Sequence, residues 1–466
     1  MNQNYDPHLD SLEFSFTLMP ALIDYINWKD MKTILKFLIL PIALICFCSA
    51  CNSGKNNDLE GPSVKESWQK WITKNASPIK SLTENNNDDL YFLQEFIGDR
   101  TLIQLGESSH GVKEYNQIKV SIIKYLHEKM GFNVIAFESG LYECYNTNIS
   151  TSGKNPRNLI EAIFSVWRTQ EVLELFDYIV NTQETDEPLI LAGFDFQMSG
   201  DWNERTNMLK EIVSLLDQDF ANELFKTDSL FAVKKKPNDI IAMRKYVMEN
   251  QDDLKSTYSH LKELLDEGMP ALTNIYLSNP MIPLFAHQIA VSMLDYINFW
   301  LDEENEMSIR DRAMANNVDF LKTVVYPDEK IIIWAHNLHI RNNNHQLDLS
   351  AYEKIKSMGS WLHDKYPDEL YTIGLYMYEG QGAYNNREIY DVKSHSPNSL
   401  ESILHSTGYE SCFVDLKHQK LVDGNEWMAS EILTKTWGLQ DLRLVPKIQY
   451  DAILFIDSVS PPDYLD

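Results

Sequence analysis

Five acidic and basic residues stand in short segments whose composition could support acid–base chemistry. Glu107 and His110 lie in GESSHG, Glu138 lies in AFESG, and His336 and His339 lie in WAHNLHI. A neutral imidazole can take a proton from water, and a neighbouring carboxylate can orient the ring and stabilise the charge that it acquires. Such a set could hydrolyse a bond if folding brings the three segments together.

Each segment follows an apolar run of the length expected for a buried strand. These runs are residues 102–105, 133–137 and 330–334, and a fourth run, 189–192, leads to Asp195. The carboxyl ends of parallel strands meet at one edge of a sheet, which is where open α/β sheets bind ligands. The order of the runs therefore predicts that the titratable residues gather at this edge.

A helix is predicted between the first two strands. Apolar residues recur three and four positions apart from Tyr115 to Leu126, and Gly131 suits the left-handed position after a helix end. The pattern predicts a helix that begins near His110, where the positive end of the helix would favour a neutral imidazole. Ser108 and Ser109 are then expected to cap the helix rather than act as nucleophiles.

The fold class predicted from these patterns is α/β, with a three-layer core, a mainly parallel sheet and a helical insertion that acts as a cap. Three further strand candidates would complete a sheet of six or seven strands, and helical spacing dominates the insertion. The strand candidates are 370–377, 411–416 and 452–456, the insertion is about 200–326, its expected helices are 203–217, 238–266, 284–303 and 308–325, and the domain as a whole is 67–466.

Composition narrows the classes of partner. The 466 residues carry a net charge of −27, which argues against nucleic acid as a partner because a nucleic-acid site needs a basic surface. The spacing of the five cysteines matches neither a zinc site nor a disulfide framework. We therefore expect no nucleic-acid partner, while the oligomeric state stays open.

The first part of the chain is typical of an exported lipoprotein. Residues 31–51 have a basic start, an apolar centre and the ending CSAC, as in a bacterial export signal whose final cysteine is acylated. Cys48 departs from the usual pattern of that ending. We expect an upstream extension at 1–30, a lipid on Cys51, a polar tether at 52–66, and attachment to the membrane of the bacterial cell envelope, facing the periplasm or the surface.

The motifs taken together resemble the erythromycin esterase family. GESSHG, AFESG, GFD and WAHNLHI occur in the order and spacing of that family, and Arg310-Asp311 and the closing YDAILFID also match. The resemblance covers most of residues 85–460. It implies a three-layer α/β core with a helical insertion, and ester hydrolysis of the kind that opens the macrolactone ring of macrolide antibiotics. It also implies a small-molecule ester or lactone as the substrate, no metal and no other cofactor.

The same resemblance implies roles for particular residues. His110 matches the general-base histidine, Glu107 and Glu138 match the two motif carboxylates, and His336 and His339 match the paired histidines, of which His336 would steady an oxyanion or protonate the leaving alkoxide. His339 would support the other site residues without contacting the substrate itself.

Three further residues are expected to bind substrate or support the site. Asp195 follows the fourth apolar run and Arg310 belongs to the matched motif of the cap. Lys119 departs from the family, which usually has an arginine nine residues after the catalytic histidine. Lysine keeps the positive charge but lacks the planar fork that binds a carboxylate in two places.

The sequence leaves two other functions open. Glu107, His110, His336 and His339 could in principle bind zinc in a metal-dependent hydrolase, although their spacing matches no zinc signature. A haem- or iron-binding envelope lipoprotein is the second alternative, based on analogy between folds alone. The motifs do not identify the ester that is cleaved, because the cap and loops would decide that.

Overall fold

The computed structural model describes residues 64–83, 89–149, 155–200, 202–235, 240–347 and 354–465. The predicted extension at 1–30, the export signal with Cys51, and all of the tether before residue 64 lie outside the described residues. Among the helices of the described part, none is long and apolar enough to cross a membrane.

The core of the described chain is a nine-stranded sheet in the order β1-β8-β11-β6-β2-β5-β3-β4, with β7 paired to β6. A separate hairpin consists of β9 and β10. The strands are β1 (Ser77–Pro78), β2 (Leu102–Leu105), β3 (Val134–Gly140), β4 (Ile190–Asp195), β5 (Ile331–Trp334), β6 (Leu370–Ala383), β7 (Ile389–Asp391), β8 (Ser411–Asp415), β9 (Ile432–Thr436), β10 (Gln440–Leu444) and β11 (Ala452–Val459).

The middle of the sheet is parallel, as the sequence predicts. Strands β11, β6, β2, β5, β3 and β4 run in one direction, and Leu105 of β2 pairs with Trp334 of β5. Apart from the partly exposed end of β6, these strands are mostly apolar and buried, as expected for parallel strands covered by helices on both faces. The α/β prediction is confirmed, and so are its seven strands. Strands β1, β7, β9 and β10 were not predicted, because short or amphipathic strands at the margin lack a continuous apolar run.

Sixteen α-helices surround the sheet in the described residues. They are α1 (Glu66–Asn75), α2 (Phe92–Ile97), α3 (Lys113–Met130), α4 (Leu141–Ile149), α5 (Pro156–Leu159), α6 (Gln170–Thr182), α7 (Trp202–Ser214), α8 (Gln218–Lys235), α9 (Ile240–Glu249), α10 (Gln251–Ile275), α11 (Met281–Leu301), α12 (Glu306–Phe320), α13 (Asn337–Ile340), α14 (Met358–Lys365), α15 (Leu400–His405) and α16 (Pro446–Gln449).

Helices α7 to α12 all lie between β4 and β5 in the sequence. The sequence pattern misses α8, because Asp228 is fully buried on the inner face of that helix and interrupts its apolar stripe. Asp228 accepts hydrogen bonds from Arg205 at 2.6 Å and from Tyr258 at 2.7 Å, which compensate its burial. The single helix expected at 238–266 is two helices, α9 and α10, which meet at Asn250.

The expected start of the first long helix is wrong by three residues. Helix α3 begins at Lys113 after Val112, and no side chain caps it. Gly111 forms an antiparallel bridge with Ala383, whose N–H donates to the Gly111 carbonyl at 2.8 Å, and this keeps His110 to Val112 out of the helix. A Cβ at Gly111 would lie 2.1 Å from the Ala383 oxygen, so only glycine fits. The end of the helix is confirmed, with Gly131 in the left-handed region at φ +70°.

Candidate active site

The loop after β2 places His110 against a buried carboxylate. Nδ1–H of His110 donates to Oε1 of Glu107 at 2.6 Å. Trp167 donates its Nε1–H to the same oxygen at 2.8 Å, and Lys119 on α3 donates to Oε2 at 2.5 Å. Three donors therefore fix Glu107, and Glu107 in turn fixes the plane and tautomer of the His110 ring. Since Nδ1 carries the proton in this arrangement, Nε2 is the nitrogen that can accept one.

Within this group, the positive charge of Lys119 balances the negative charge of the buried Glu107. Burial alone would raise the pKa of Glu107, but Lys119 and His110 outweigh it and hold that pKa below its usual range. Burial lowers the pKa of Lys119 to about 8, and the attraction of Glu107 opposes that shift. At neutral pH the pair is an ion pair, and Lys119 also lies over the Trp334 ring at 4.3 Å.

Ser108 and Ser109 do not cap the helix, because their hydroxyls are engaged by tyrosines. The Ser108 and Tyr115 hydroxyls are 2.8 Å apart, and the Tyr390 hydroxyl donates to Ser109 Oγ at 2.7 Å. Both contacts are buried and hold the loop between Glu107 and His110 in place.

A second buried charge cluster lies at the ends of β3 and β4. Arg310 of α12 donates to Oε1 of Glu138 at 2.9 Å and to Oδ2 of Asp195 at 2.6 and 3.1 Å. Burial would raise the pKa of Glu138, but His339 and Arg310 hold it well below its usual range. One guanidinium of the helical insertion thus joins two strands of the core.

His339 extends this cluster. Its Nδ1 lies 3.0 Å from the carboxylate of Asp311, and its Nε2 lies 3.2 Å from Oε1 of Glu138. Burial would lower the pKa of His339, but Asp311 and Glu138 more than offset it and raise the pKa to about 10. His339 is therefore an imidazolium at neutral pH, which makes it a structural cation rather than a base.

His336 is neutral and both of its nitrogens are engaged. The Leu338 N–H donates to Nδ1 at 3.1 Å, so Nε2 carries the proton and donates to the Ser108 carbonyl at 3.1 Å. Burial, followed by the nearby His110 and His339, holds the pKa of His336 well below its usual value. Its backbone N–H donates to Oε2 of Glu138 at 3.0 Å.

The His110 and His336 rings connect the two clusters, since their centroids are 5.1 Å apart. The structure therefore brings all eight candidates of the folded domain to the carboxyl edge of the sheet. They are Glu107, His110, Lys119, Glu138, Asp195, Arg310, His336 and His339.

The carboxylates at this edge are paired with lysine and arginine side chains. Within the described ranges, no group of three or more His, Cys, Asp or Glu side chains is arranged to hold a metal ion. Lys119 faces Glu107, and Arg310 lies between Glu138 and Asp195. The donor set thus gives no support to the zinc alternative, because the positions next to the carboxylates are filled.

A small cavity lies behind the second cluster. Asp195 lines it together with Arg205 of α7 and Ser292 of α11, and its volume is about 20 Å³. That volume is enough for about one water molecule. The cavity is therefore too small for a ligand much larger than water.

The sequence profile of the Erythromycin esterase family matches residues 127–459 of this chain. The chain belongs to the erythromycin esterase family. A Bacillus subtilis (strain 168) protein named "Putative hydrolase YbfO" is 30% identical over 461 residues, which cover 92% of this chain and 99% of that protein. Erythromycin esterase type II of Escherichia coli is 21% identical over 377 residues, covering 74% of this chain and 88% of that protein.

A solved member of the erythromycin esterase family has the same fold. The open conformation of a histidine-to-asparagine mutant of the erythromycin esterase EreC superposes with a TM-score of 0.66 at 19% identity, covering 84% of this chain and 99% of that chain. Membership of the family indicates a hydrolase.

Three residues that contact the predicted site residues were not themselves predicted to belong to the site. Trp167 and Asp311 contact Glu107 and His339 respectively, and Trp437 packs on both His110 and His336. Asp311 stood beside Arg310 in a recognised motif, so its position gave a usable signal. Neither tryptophan did, since an isolated tryptophan most often belongs to the core.

The raised pKa of His339 predicts a loss of stability at high pH. The folded protein keeps this proton up to about pH 10, whereas an unfolded histidine loses it near 6.5. Its contribution is fully present below pH 6.5 and disappears as the pH rises through 10. We expect the wild type to lose more stability than His339→Gln between pH 6.5 and 10, measured by urea unfolding. The lowered pKa of Lys119 acts in the opposite direction but equally in both proteins. Parallel stability curves would contradict the imidazolium assignment.

Proposed function

We propose that this protein hydrolyses carboxylic esters, including macrolactones, with a water molecule that His110 activates. The observation that carries the proposal is the 2.6 Å hydrogen bond from His110 to Glu107, a fully buried carboxylate that Lys119 and Trp167 also hold. A buried carboxylate on Nδ1 is the arrangement that orients a general-base imidazole and stabilises its protonated form. Membership of the erythromycin esterase family supports the class of bond.

The proposed reaction has two steps. Nε2 of His110 takes a proton from water while the water oxygen bonds to the carbonyl carbon, and the carbonyl π pair moves to oxygen as an oxyanion. The oxyanion then re-forms the C=O bond and expels the alkoxide, which takes the proton from the His110 imidazolium. The products are a carboxylic acid and an alcohol, and His110 returns to its neutral form.

The other predicted residues would support this chemistry. Glu107 compensates the charge that His110 acquires. Glu138 holds Arg310, His339 and the backbone of His336 in position. The role of His336 as a donor to the oxyanion or leaving group stays a prediction, and it requires exchange of the hydrogen bond to the Ser108 carbonyl.

The experiment that tests the proposal is a substrate screen with the purified protein. Macrolides, simple lactones and p-nitrophenyl esters are incubated with the enzyme, and the released acid is measured. Turnover that survives a chelator supports acid–base hydrolysis. Turnover that a chelator abolishes and zinc restores would favour the metal-dependent alternative. Absence of turnover with every ester, together with a haem titration that shows binding, would favour the binding-protein alternative.

We expect the fall of kcat/KM at high pH to depend on the loss of the Lys119 proton. When Lys119 loses its proton near pH 8, Glu107 loses the ion pair that fixes its carboxylate against Nδ1 of His110. We therefore expect kcat/KM of the wild type to fall above about pH 8. In Lys119→Arg the fall should move to higher pH, because arginine stays protonated. The same inflection in both enzymes would contradict this assignment.

We also propose that the protein is anchored to the bacterial envelope through a lipid on Cys51. The support is the sequence of residues 31–51 alone, which has the parts of an export signal. Mass spectrometry of the membrane fraction should find a protein that begins with an acylated Cys51. An uncut chain, or a cut chain without lipid, would overturn the proposal.

A further inference from the structure

Trp437 has a backbone conformation that tryptophan rarely adopts. It follows β9 in the turn of the β9–β10 hairpin, where Trp437 has φ +57° and Gly438 has φ +64°. The Leu439 N–H donates to the Thr436 carbonyl at 3.0 Å across this turn. Two consecutive residues with positive φ form the kind of hairpin turn that prefers Asn-Gly. A bulky residue in the first position is disfavoured, so the turn itself does not account for the tryptophan.

The hairpin fixes this tryptophan on the catalytic loop. The backbone N–H of Trp437 donates to the Ser108 carbonyl at 2.8 Å, and the same carbonyl accepts Nε2–H of His336. The Trp437 ring lies edge-on to His110 with centroids 5.5 Å apart, and it stacks on His336 at 5.6 Å. The unusual backbone therefore places the indole against both histidines. Strained backbone that persists at such a position is often part of a functional site.

The indole also carries an unused donor. Nε1–H of Trp437 is buried and has no hydrogen-bond acceptor in the described part of the structure. On its other side Trp437 lies 6.4 Å from Tyr384, whose side chain is exposed to solvent. Trp437 thus packs on His110 and lies near a solvent-exposed tyrosine, and it has one donor that the protein leaves unsatisfied. A buried donor without an acceptor is costly, and a ligand that supplies the acceptor recovers that cost.

We propose that Trp437 is a catalytic residue whose Nε1–H donates to the carbonyl oxygen of the bound ester. This role rests on the proposed hydrolase function. As the water oxygen bonds to the carbonyl carbon, the π pair moves to the carbonyl oxygen, and the hydrogen bond from Nε1 strengthens while its proton stays on the indole. Donors aimed at the developing oxyanion lower the barrier of acyl transfer.

The test removes the donor and keeps the ring. Trp437→Phe is compared with the wild type on p-nitrophenyl butyrate, and Trp427→Phe is the matched control. Trp427 is also fully buried with an unpaired Nε1–H, but it lies in the 3₁₀ turn Glu426–Ala429, away from the histidines. A second variant carries 3-benzothienylalanine at position 437, in which sulfur replaces N–H within a ring of the same shape. Binding of an alkyl phosphonate, a mimic of the tetrahedral oxyanion, is measured for each protein.

In both position-437 variants we expect kcat to fall about 100-fold, KM to change less than about threefold, and phosphonate binding to weaken about as much as kcat. Trp427→Phe should match the wild type. A fall in kcat of less than about fivefold in either folded variant overturns the role of Trp437, and the benzothienyl variant decides if Trp437→Phe does not fold. Wild-type turnover is measured first, since its absence counts against the hydrolase proposal itself.

Discussion

Replacing His110 by alanine is expected to lower kcat for ester hydrolysis by about 10²- to 10⁴-fold, the contribution typical of a positioned general base. The variant keeps the ion pair of Glu107 with Lys119 and the hydrogen bond from Trp167. The loop around it stays tied by Tyr115 and Tyr390, so the folded structure should survive. The measurement is steady-state kinetics on any ester that the wild type cleaves, with circular dichroism as the check of folding.

The chain contains a matched control for this substitution. Nδ1 of His418 lies 2.8 Å from the carboxylate of Asp415, three residues earlier, so the pair has the spacing of Glu107 and His110. It follows the antiparallel strand β8, whose end pairs with the beginning of β11, and so it lies at the opposite edge of the sheet. His418→Ala should leave kcat unchanged. A His110→Ala enzyme as active as His418→Ala would contradict the mechanism whatever the substrate.

Arg310→Met is expected to cost about 3–5 kcal/mol of unfolding free energy and to abolish activity. Arg310 is the guanidinium between Glu138 and Asp195, and all three side chains are buried. Removing one partner of a buried ion pair leaves an uncompensated charge in the interior, which is much more costly than loss of an exposed pair. Glu138 would also lose its position below His336. Urea unfolding and ester turnover measure the two effects.

Arg312, two residues further along α12, is the control for this prediction. It is half-exposed and lies 2.9 Å from Asp295. Arg312 is open to solvent although Asp295 is largely buried, so water can replace much of this contact and Arg312→Met should cost clearly less stability than Arg310→Met. Equal destabilisation in the two variants would show that Arg310 is not the electrostatic centre of the second cluster.

The strands and the edge at which they end could be predicted from the sequence, because buried parallel strands are continuous apolar runs. The runs before Glu107, Glu138, Asp195 and His336 each form a strand of the parallel core. The direction of the strands then brings residues more than 200 positions apart to one edge. Family resemblance added the identity of the chemistry, which spacing alone left open.

The start of α3 could not be predicted, because it depends on a distant strand. Gly111 is held by Ala383 at the end of β6, and this contact delays the helix to Lys113. The neutral state of His110 was therefore predicted from a helix end that is not there. In the structure, the hydrogen bond to Glu107 takes over the orientation of the ring.

The partners of the charged residues also lay beyond sequence reasoning. Lys119 was expected to bind substrate or support the site, and only the structure shows that its partner is Glu107. The position of Trp437 could not be predicted for a different reason. The sequence Thr-Trp-Gly-Leu lacks the Asn-Gly pair that indicates a tight hairpin turn. Side-chain pairing within a buried cluster depends on angstrom-scale geometry that spacing along the chain does not encode.

In the proposed mechanism, water held by His110 attacks the carbonyl carbon of an ester. Hydrolysis in H₂¹⁸O, with the acid and alcohol products analysed by mass spectrometry, tests it most directly. We expect one ¹⁸O in the carboxylate and none in the alcohol, and label transfer in His110→Ala that is slower by the same factor as kcat, about 10²- to 10⁴-fold. Label in the alcohol, or undiminished labelling of the acid by His110→Ala, would contradict the account.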